Sequence, residues 1–352
     1  MSVISQEIKI KIRNISILIF LGILFGTIYN YLYYPPILIG YIEAVLCSIL
    51  ICISIGIVQE FLLKKIFEKI SFFKLLLLRT ILYSFIIIII LSLVLSVKIS
   101  IDEQISYVDA MFFYFQSPLF MHDFIFAITF IFLVIFVAQI IQLIGMNNLG
   151  RLIAGQYHLP KEVRRIFMFI DLNDSTSLAE KLGNKLYSSF IKEYFNDISN
   201  AINMYGGEIY QYVGDEVSLV WSVRRKNDHC LNCFFKIQQI IDGKRDHYLT
   251  MYGNIPQFKA GVHIGTVVIT EVGKLKRALV YHGDVVNTAS RIIGKCNELT
   301  QDFLISEDML AIVDHTNIDI AEQGELSLRG KVQKIRLYGV HRNKGINAPN
   351  KN

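Results

Sequence analysis

The segment RIFMFIDLNDST at residues 165–176 decides how the second half of this chain folds. Its first part, Arg165–Ile170, is a short apolar run bounded by charged residues, which predicts a strand that is buried on both faces. Asp171 comes directly after this run. Its carboxylate is therefore expected at the edge of a sheet, where the strand ends.

A helix and a β-hairpin are predicted next. Apolar residues recur at helical spacing from Ser177 to about Met204, and two glycines end that pattern. The following segment, residues 208–223, indicates a hairpin whose tight turn is Gly214-Asp215-Glu216. If this hairpin pairs beside the first strand, Asp215 meets Asp171. Two carboxylates that converge at a sheet edge suit Mg²⁺ and the two-metal arrangement for phosphoryl transfer.

These segments resemble the catalytic domain of the class III nucleotidyl cyclases, the adenylate and guanylate cyclase family, over roughly residues 160–341. In that family the first metal-binding aspartate follows an apolar strand and precedes a turn that ends in Thr, as Asp171 and Thr176 do here. The second aspartate lies in a Gly-Asp hairpin turn, as Asp215 does. The resemblance implies two divalent cations, Mg²⁺ or Mn²⁺, which these aspartates and the backbone carbonyl of Leu172 would hold. Thr176 is assigned to phosphate binding.

Two later motifs extend the resemblance. The family's Asn-x-x-x-Arg pair is matched by Asn287 and Arg291 in YHGDVVNTASR, and its late basic residue by Arg329 in LRGK, with Lys331 beside it. The resemblance implies that Asn287 orients the ribose, that Arg291 stabilises charge at the α-phosphoryl group, and that the late basic pair binds the terminal phosphates. Asn287 precedes Arg291 by one helical turn, so both side chains lie on one face.

Membership of this family implies an α+β domain over residues 165–341, with a palm-like, ferredoxin-like core and a mixed sheet flanked by helices. The implied reaction is attack of the ribose 3′-hydroxyl of a nucleoside triphosphate on its α-phosphorus, with pyrophosphate leaving. In the family the metal aspartates and the Asn/Arg pair come from opposite protomers of a head-to-tail dimer. A homodimer with two equivalent sites is therefore expected.

The residues that would select the base depart from the family pattern. Adenine-specific members usually carry Lys three residues before the hairpin Gly and Asp or Thr seven residues before the Asn, whereas guanine-specific members have Glu and Cys. Here those base-binding positions are Gln211 and Val280. Gln can donate and accept a hydrogen bond, but Val can do neither. ATP is expected from its frequency in the family, while GTP and a pyrimidine triphosphate remain open.

The first half of the chain is apolar, and the mean hydropathy of the whole chain is +0.44. Four stretches are long enough for the ~20 residues of a membrane-spanning helix, namely Ile15–Tyr34, Ile37–Leu63, Leu75–Val97 and Phe124–Ile144. A soluble domain would not contain four such stretches in its first 150 residues. The sequence therefore predicts a four-helix transmembrane domain over residues 1–148. A linker or transducing segment is predicted over 149–164 and a disordered polar tail over 342–352.

The charges between these stretches predict an orientation. Basic residues precede the first stretch, fill the second connection and follow the fourth stretch, whereas the first connection is uncharged and the third is mainly acidic. By the positive-inside rule, both termini and the catalytic domain are expected in the cytoplasm, with the protein in the plasma membrane. The net charge of +5 is attributed to this bias and not to nucleic-acid binding.

Other interpretations are weaker. YVGDEV is similar to the Gly-Gly-Asp-Glu turn of diguanylate cyclases, but Val213 stands where that turn has Gly. A non-catalytic membrane receptor with a cyclase-like domain would be indicated by loss of a metal aspartate or of Arg291, and neither is lost. His229, Cys230 and Cys233 lie in an apolar helical stretch without a second pair at ligand spacing, which favours packing over a zinc or redox site.

Three polar residues within the apolar stretches have two interpretations each. Glu43 is costly in hydrocarbon, so it could mark a ligand or ion site, or it could lie at the interface beside tyrosines. Gln139 and Gln142 favour hydrogen bonds between helices over a binding site.

Overall fold

A computed structural model describes residues 3–33, 38–59, 70–144, 159–223, 227–275, 277–314, 316, 318–327 and 334–343. The chain divides into two units, Met1–Gly150 and Arg151–Asn352. The bounds of the linker and of the polar tail stay predictions, because most of those residues lie outside the described part. The last residues of the predicted linker already belong to the first strand, which starts at Lys161. The first residue of the predicted tail, Arg342, still belongs to the last strand.

The first unit is helical throughout its described part. Its helices are α1 Val3–Tyr33, α2 Leu38–Ile57, α3 Phe72–Asp102, α4 Tyr107–Gln116 and α5 Pro118–Ile144. Three segments within them are long and apolar enough to cross a membrane: Gly40–Ile57, Phe72–Asp102 and Pro118–Ile140.

The prediction of four spans is wrong for the described residues, and the first stretch makes the difference. It lies in α1, where the apolar segment among the described residues is Leu18–Leu32. Within the described residues, this apolar segment is shorter than the ~20 residues that a span requires.

Polar side chains within the helical unit contact one another between helices. Glu43 of α2 forms an ion pair with Lys98 of α3 at 2.6 Å, so a lysine is one partner of this carboxylate. The buried Asp123 of α5 accepts hydrogen bonds from Tyr29 of α1 at 2.7 Å and Tyr114 of α4 at 2.9 Å. These contacts satisfy the two carboxylates, which would be costly if they were buried alone.

Gln139 does not make the predicted interhelical hydrogen bond among the described residues. Both polar atoms of its side-chain amide are buried and lack a hydrogen-bond partner. The side chain of Gln142 lies outside the described part.

The second unit is built on a mixed sheet, as predicted. Its strands are β1 Lys161–Leu172, β2 Glu208–Val213, β3 Glu216–Ser222, β4 Phe258–Val272, β5 Ala278–His282, β6 Phe303–Ser306, β7 Ile318–Leu326 and β8 Ile335–Arg342. Their order is β2-β3-β1-β4-β6-β8-β7, and β5 also pairs with β4. The β4–β6 pair is parallel and the other pairs are antiparallel.

Helices cover both faces of this sheet, which confirms the flanked architecture. They are α6 Ser175–Met204, α7 His229–Gly243, α8 Arg245–Tyr252, α9 Asp284–Gly294 and α10 Glu307–Leu310. Alternate residues of β1 face opposite ways. Met168 and Ile170 pack in the cluster that contains the buried residues of α6 and α7, and Phe167 and Phe169 pack with those of α9. The continuous apolar run in β1 is therefore buried on both sides.

The close contact between α9 and β4 depends on a glycine. A Cβ atom on Gly261 would lie 2.4 Å from the backbone nitrogen of Ile293 in α9. Real Cβ atoms do not approach backbone this closely, and neither backbone can move without disturbing its own element. Gly261 therefore allows α9 to lie directly on β4 and fixes the position of that helix.

The cysteines of α7 belong to the core. Cys230 and Cys233 are fully buried, and burial raises the pKa of the Cys230 thiol to about 12. Such thiols stay protonated and behave as small apolar side chains. Their environment supports packing as the role of this stretch.

Candidate active site

The structure brings the two aspartates together at one edge of the sheet. Asp171 is the penultimate residue of β1, and Asp215 lies in the turn between β2 and β3. Because β3 pairs antiparallel with β1, with Val217 opposite Ile170, the turn lies beside the end of β1. The two carboxylates are close enough for Asp215 to raise the pKa of Asp171.

This edge carries excess negative charge. Burial raises the pKa of the Asp171 carboxyl, and the charge of Asp215 raises it further. Burial, followed by the charges of both aspartates, raises the pKa of the neighbouring Glu216 to about 7. The Oδ2 atom of Asp215 is buried and has no hydrogen-bond partner. Carboxylates that repel one another in a partly desolvated place are a site for added positive charge.

One cation already lies there. The Nζ atom of Lys259 is 3.4 Å from Oδ2 of Asp171, because Lys259 of β4 stands directly opposite Asp171 in the β1–β4 pairing. The same ammonium donates a hydrogen bond to Oδ1 of Asn297 at 3.4 Å. Sequence reasoning missed Lys259, since only the register between two strands some 90 residues apart places it at the site.

Two tyrosines of α6 also lie near the carboxylates. Burial and then the charge of Asp215 raise the pKa of Tyr187. Tyr194 is fully buried, its hydroxyl has no hydrogen-bond partner, and burial and then Asp171 raise its pKa. Sequence reasoning counted Tyr194 only as part of the apolar face of a helix.

The turn after β1 contains the remaining predicted metal and phosphate ligands of this edge. Leu172 ends β1 with its side chain buried, so its backbone would be the part available to a ligand. Thr176 is exposed in the first turn of α6. The first turn of a helix has unpaired N–H groups that favour phosphate. Arg329 and Lys331 lie outside the described residues.

Asn287 and Arg291 both lie on α9, four residues apart. Asn287 is exposed, whereas Arg291 is half-buried and its Nη1 atom is buried without a hydrogen-bond partner. In the part of the chain that the structure describes, no hydrogen bond or ion pair joins either residue to Asp171 or Asp215. A buried guanidinium nitrogen without an acceptor is unusual, and it suits a site that receives an anionic ligand.

The candidate base-binding residues lie on strands that approach each other. Gln211 is exposed on β2, and Val280 is half-buried on β5, opposite Thr270 of β4. Their neighbours Tyr210 and Tyr281 have ring centroids 5.1 Å apart. The two strands are therefore close to each other at these tyrosines.

The residues at this edge fit a divalent cation. Asp171 and Asp215 offer adjacent carboxylates, and one buried oxygen of Asp215 lacks a partner. The described residues contain no group of three or more His, Cys, Asp or Glu side chains arranged to hold a metal. The two aspartates would thus need oxygen atoms from backbone, water or phosphate to complete the coordination, which Mg²⁺ accepts readily.

This chain is similar to known nucleotide cyclases. Adenylate cyclase 2 of Rhizobium meliloti (strain 1021) is 34% identical over 210 residues, which are 59% of this chain and 58% of that protein. A uridylate cyclase of Rhodovulum sp. (strain MB263) is 23% identical over 186 residues, 51% of this chain and 70% of that protein. Among solved structures, the adenylyl cyclase CyaB from P. aeruginosa is similar with a TM-score of 0.49 and 18% identity, over 54% of this chain and 100% of that chain.

The chain spans less than two thirds of the length of its relative from Rhizobium meliloti. The model of the adenylate and guanylate cyclase catalytic domain matches residues 162–342, and this region includes every candidate site residue described above. Because the match covers more than half of the chain, this protein belongs to the adenylate and guanylate cyclase family.

Proposed function

We propose that this protein is a membrane-bound adenylate cyclase, which converts ATP to 3′,5′-cyclic AMP and pyrophosphate. The observation that carries the proposal is the meeting of Asp171 and Asp215 at one sheet edge with too little positive charge to neutralise them. The family and the 34% identity to an adenylate cyclase support the same reaction.

The aspartates hold the metals in this proposal. Asp171, Asp215 and the backbone carbonyl of Leu172 would bind two divalent cations, Mg²⁺ or Mn²⁺. When bound, such cations lower the pKa of the ribose 3′-hydroxyl and offset charge on the phosphates. The first turn of α6, with Thr176, binds phosphate oxygens next to this edge.

The transition-state residues come from a second chain. Asn287 and Arg291 form no hydrogen bond or ion pair with the aspartates of their own chain in the described part, and the guanidinium of Arg291 has a buried nitrogen without an acceptor. A head-to-tail homodimer would place this pair opposite the aspartates of the partner subunit. Arg291 then stabilises charge at the α-phosphoryl group and Asn287 orients the ribose. Arg329 and Lys331 bind the terminal phosphates and the leaving pyrophosphate.

Base choice rests on Gln211. Its exposed amide on β2 can pair with a base edge, whereas Val280 contributes only apolar surface. ATP is proposed because the relative with 34% identity is an adenylate cyclase. The 23% identity to a uridylate cyclase makes a pyrimidine triphosphate the alternative to test, together with GTP.

The helical unit associates with the plasma membrane, and the catalytic unit lies on the cytoplasmic side. Three helices are apolar enough to span a bilayer. If α3 and α5 both cross, the basic segment before α3 and the basic segment after α5 lie on the same side, which the positive-inside rule makes cytoplasmic. The residues before β1 then connect the membrane unit to the catalytic domain, and the residues after β8 form the tail.

The test is to incubate the purified full-length protein with each of the four nucleoside triphosphates and Mn²⁺, and to separate the products by chromatography. Cyclic AMP should form fastest, and Asp215→Asn, which keeps the size of the side chain, should abolish it. A faster reaction with another nucleotide would refute ATP as substrate. No cyclic product from any nucleotide, with folded protein, would refute cyclase activity.

A further inference from the structure

The most unusual side chain at the carboxylate edge is Lys259. Its side chain is only 13% exposed, and its ammonium contacts Asp171 on one side and Asn297 on the other. We propose that Lys259 is a resident counter-cation of the metal site: it neutralises Asp171 when no divalent cation is bound, gives up this contact when one binds, and thereby sets the metal affinity. This inference rests on the proposed metal-binding role of Asp171 and Asp215.

The balance of charge supports the first part. Asp171, Asp215 and Glu216 place three carboxylates at one sheet edge, where the charge of Asp215 raises the pKa of Asp171 and the charges of both aspartates raise that of Glu216. In the described part of the chain, Lys259 is the one cationic side chain in an ion pair with either aspartate. Asp171 is itself only 28% exposed, so solvent and salt screen this pair less than a surface pair.

The hydrogen bond from Lys259 to Asn297 supports the release of the ammonium from Asp171. A lysine ammonium has three hydrogens on a flexible stem, so it can keep one partner while it leaves another. Asn297 follows α9, whose closing residue is Gly294. After a cation takes its place at Asp171, the ammonium can stay with Asn297. The ammonium of Lys259 would thus move between the carboxylate edge and the segment after the helix that carries Arg291.

The consequence is a competition. A divalent cation at Asp171 lies within a few ångströms of the ammonium and is repelled by it, so the protein with Lys259 binds metal more weakly than a protein without this charge. Charges at 4–6 Å shift the proton affinity of a carboxylate by about 10- to 1000-fold. A divalent cation bound by two carboxylates and by water is less sensitive to one nearby charge than a proton is. Its affinity should therefore change by the lower limit of this range, about tenfold.

Asn297 offers an opposite perturbation. Without this acceptor, Asp171 is the one remaining polar partner of Lys259 among the described residues, and the ammonium holds it more firmly. Asn297→Ala should therefore weaken metal binding by about twofold, since a single exposed hydrogen bond contributes little. The two substitutions thus have opposite expected signs, which a general loosening of the structure would not produce.

The experiment titrates Mn²⁺ into the full-length protein without nucleotide and measures free Mn²⁺ by electron paramagnetic resonance, at about pH 8. Lys259→Met should bind Mn²⁺ about tenfold more tightly than the wild type, Lys259→Arg should bind it like the wild type, and Asn297→Ala more weakly. With a chelator present to remove metal, Lys259→Met should have a lower melting temperature than the wild type, because Asp171 lacks a counter-charge. Saturating Mn²⁺ should remove this difference in melting temperature.

Equal or weaker Mn²⁺ binding by Lys259→Met, or tighter binding by Asn297→Ala, overturns the proposal. If Lys259→Met does not fold, the result with Asn297→Ala decides. Asp171→Asn separates this failure from failure of the proposed function. If this variant loses Mn²⁺ binding while Lys259→Met binds Mn²⁺ like the wild type, Asp171 is a metal ligand and only the proposed role of Lys259 is refuted. If the wild type binds no Mn²⁺ that depends on Asp171, both fall.

Discussion

Replacing Tyr194 by Phe should not destabilise the catalytic unit, although this side chain is fully buried. Its hydroxyl has no hydrogen-bond partner and lies near the charges of Asp171 and Asp215. A buried hydroxyl without a partner costs roughly 1–3 kcal/mol, whereas the ring accounts for the packing. Removing the oxygen leaves only a small void, so the free energy of unfolding should stay the same or rise by about 1 kcal/mol.

Tyr248 of α8 provides the matched control. It is equally buried, but its hydroxyl donates to Oδ2 of Asp197 at 2.8 Å. Phe at this position leaves the carboxylate without that donor, so the free energy of unfolding should fall by roughly 1.5–3 kcal/mol, the range for hydrogen bonds to charged groups. The same chemical change thus has opposite expected effects at two buried tyrosines.

Urea unfolding followed by tryptophan fluorescence measures both effects. The chain has one tryptophan, Trp221, which is 5% exposed in the core of the catalytic unit, so the signal reports that unit within the full-length protein. A loss of more than about 1 kcal/mol in Tyr194→Phe, similar to that in Tyr248→Phe, would refute the reasoning. It would show that the Tyr194 hydroxyl has a partner at the carboxylate edge.

Three further predictions concern folding, base choice and packing. The fragment from about residue 150 onward should make a cyclic nucleotide without the membrane unit, and a folded, dimeric fragment that gives no cyclic product would contradict this. Gln211→Lys should change the ratios of kcat/KM among the four nucleotides by roughly tenfold. Val280→Ala should change turnover more than nucleotide preference. Competition assays measure both effects, and unchanged ratios in Gln211→Lys would show that the base is recognised elsewhere. Gly261→Ala should lower the free energy of unfolding by about 1–3 kcal/mol or more, because its Cβ would meet the backbone of α9. Gly294→Ala in the same helix, where a Cβ meets nothing within 4 Å, should be neutral or stabilising, and an equal loss in both would refute the packing argument.

The carboxylate pair could be predicted from the sequence because the features that bring it together are local. An apolar run defines β1. The hairpin of β2 and β3, whose turn is recognisable in the sequence, brings Asp215 close to Asp171. The start of β1 at Lys161 could not be predicted. Its first residues are charged and mostly exposed, and they are strand only because they pair with β4, about 100 residues later.

The contributions of Lys259 and Tyr194 were also outside the reach of local patterns. Lys259 reaches the site through strand register, which depends on which residues pair across β1 and β4. Tyr194 fits the apolar spacing of α6, and the spacing does not reveal that its hydroxyl is left without a partner. Of the four predicted spans, the one in α1 is not found, since its apolar segment among the described residues is only Leu18–Leu32.

The central claim is that two chains build one catalytic centre, and mixing two inactive variants tests it most directly. Asp171→Ala and Arg291→Ala should each lose at least about 100-fold in cyclic nucleotide formation. When they are mixed at equal amounts and exchange subunits, half of the dimers contain one of each, and each such dimer has one intact centre of two, so about a quarter of wild-type activity should return. No recovery, although mixed dimers can be isolated, would contradict the shared centre.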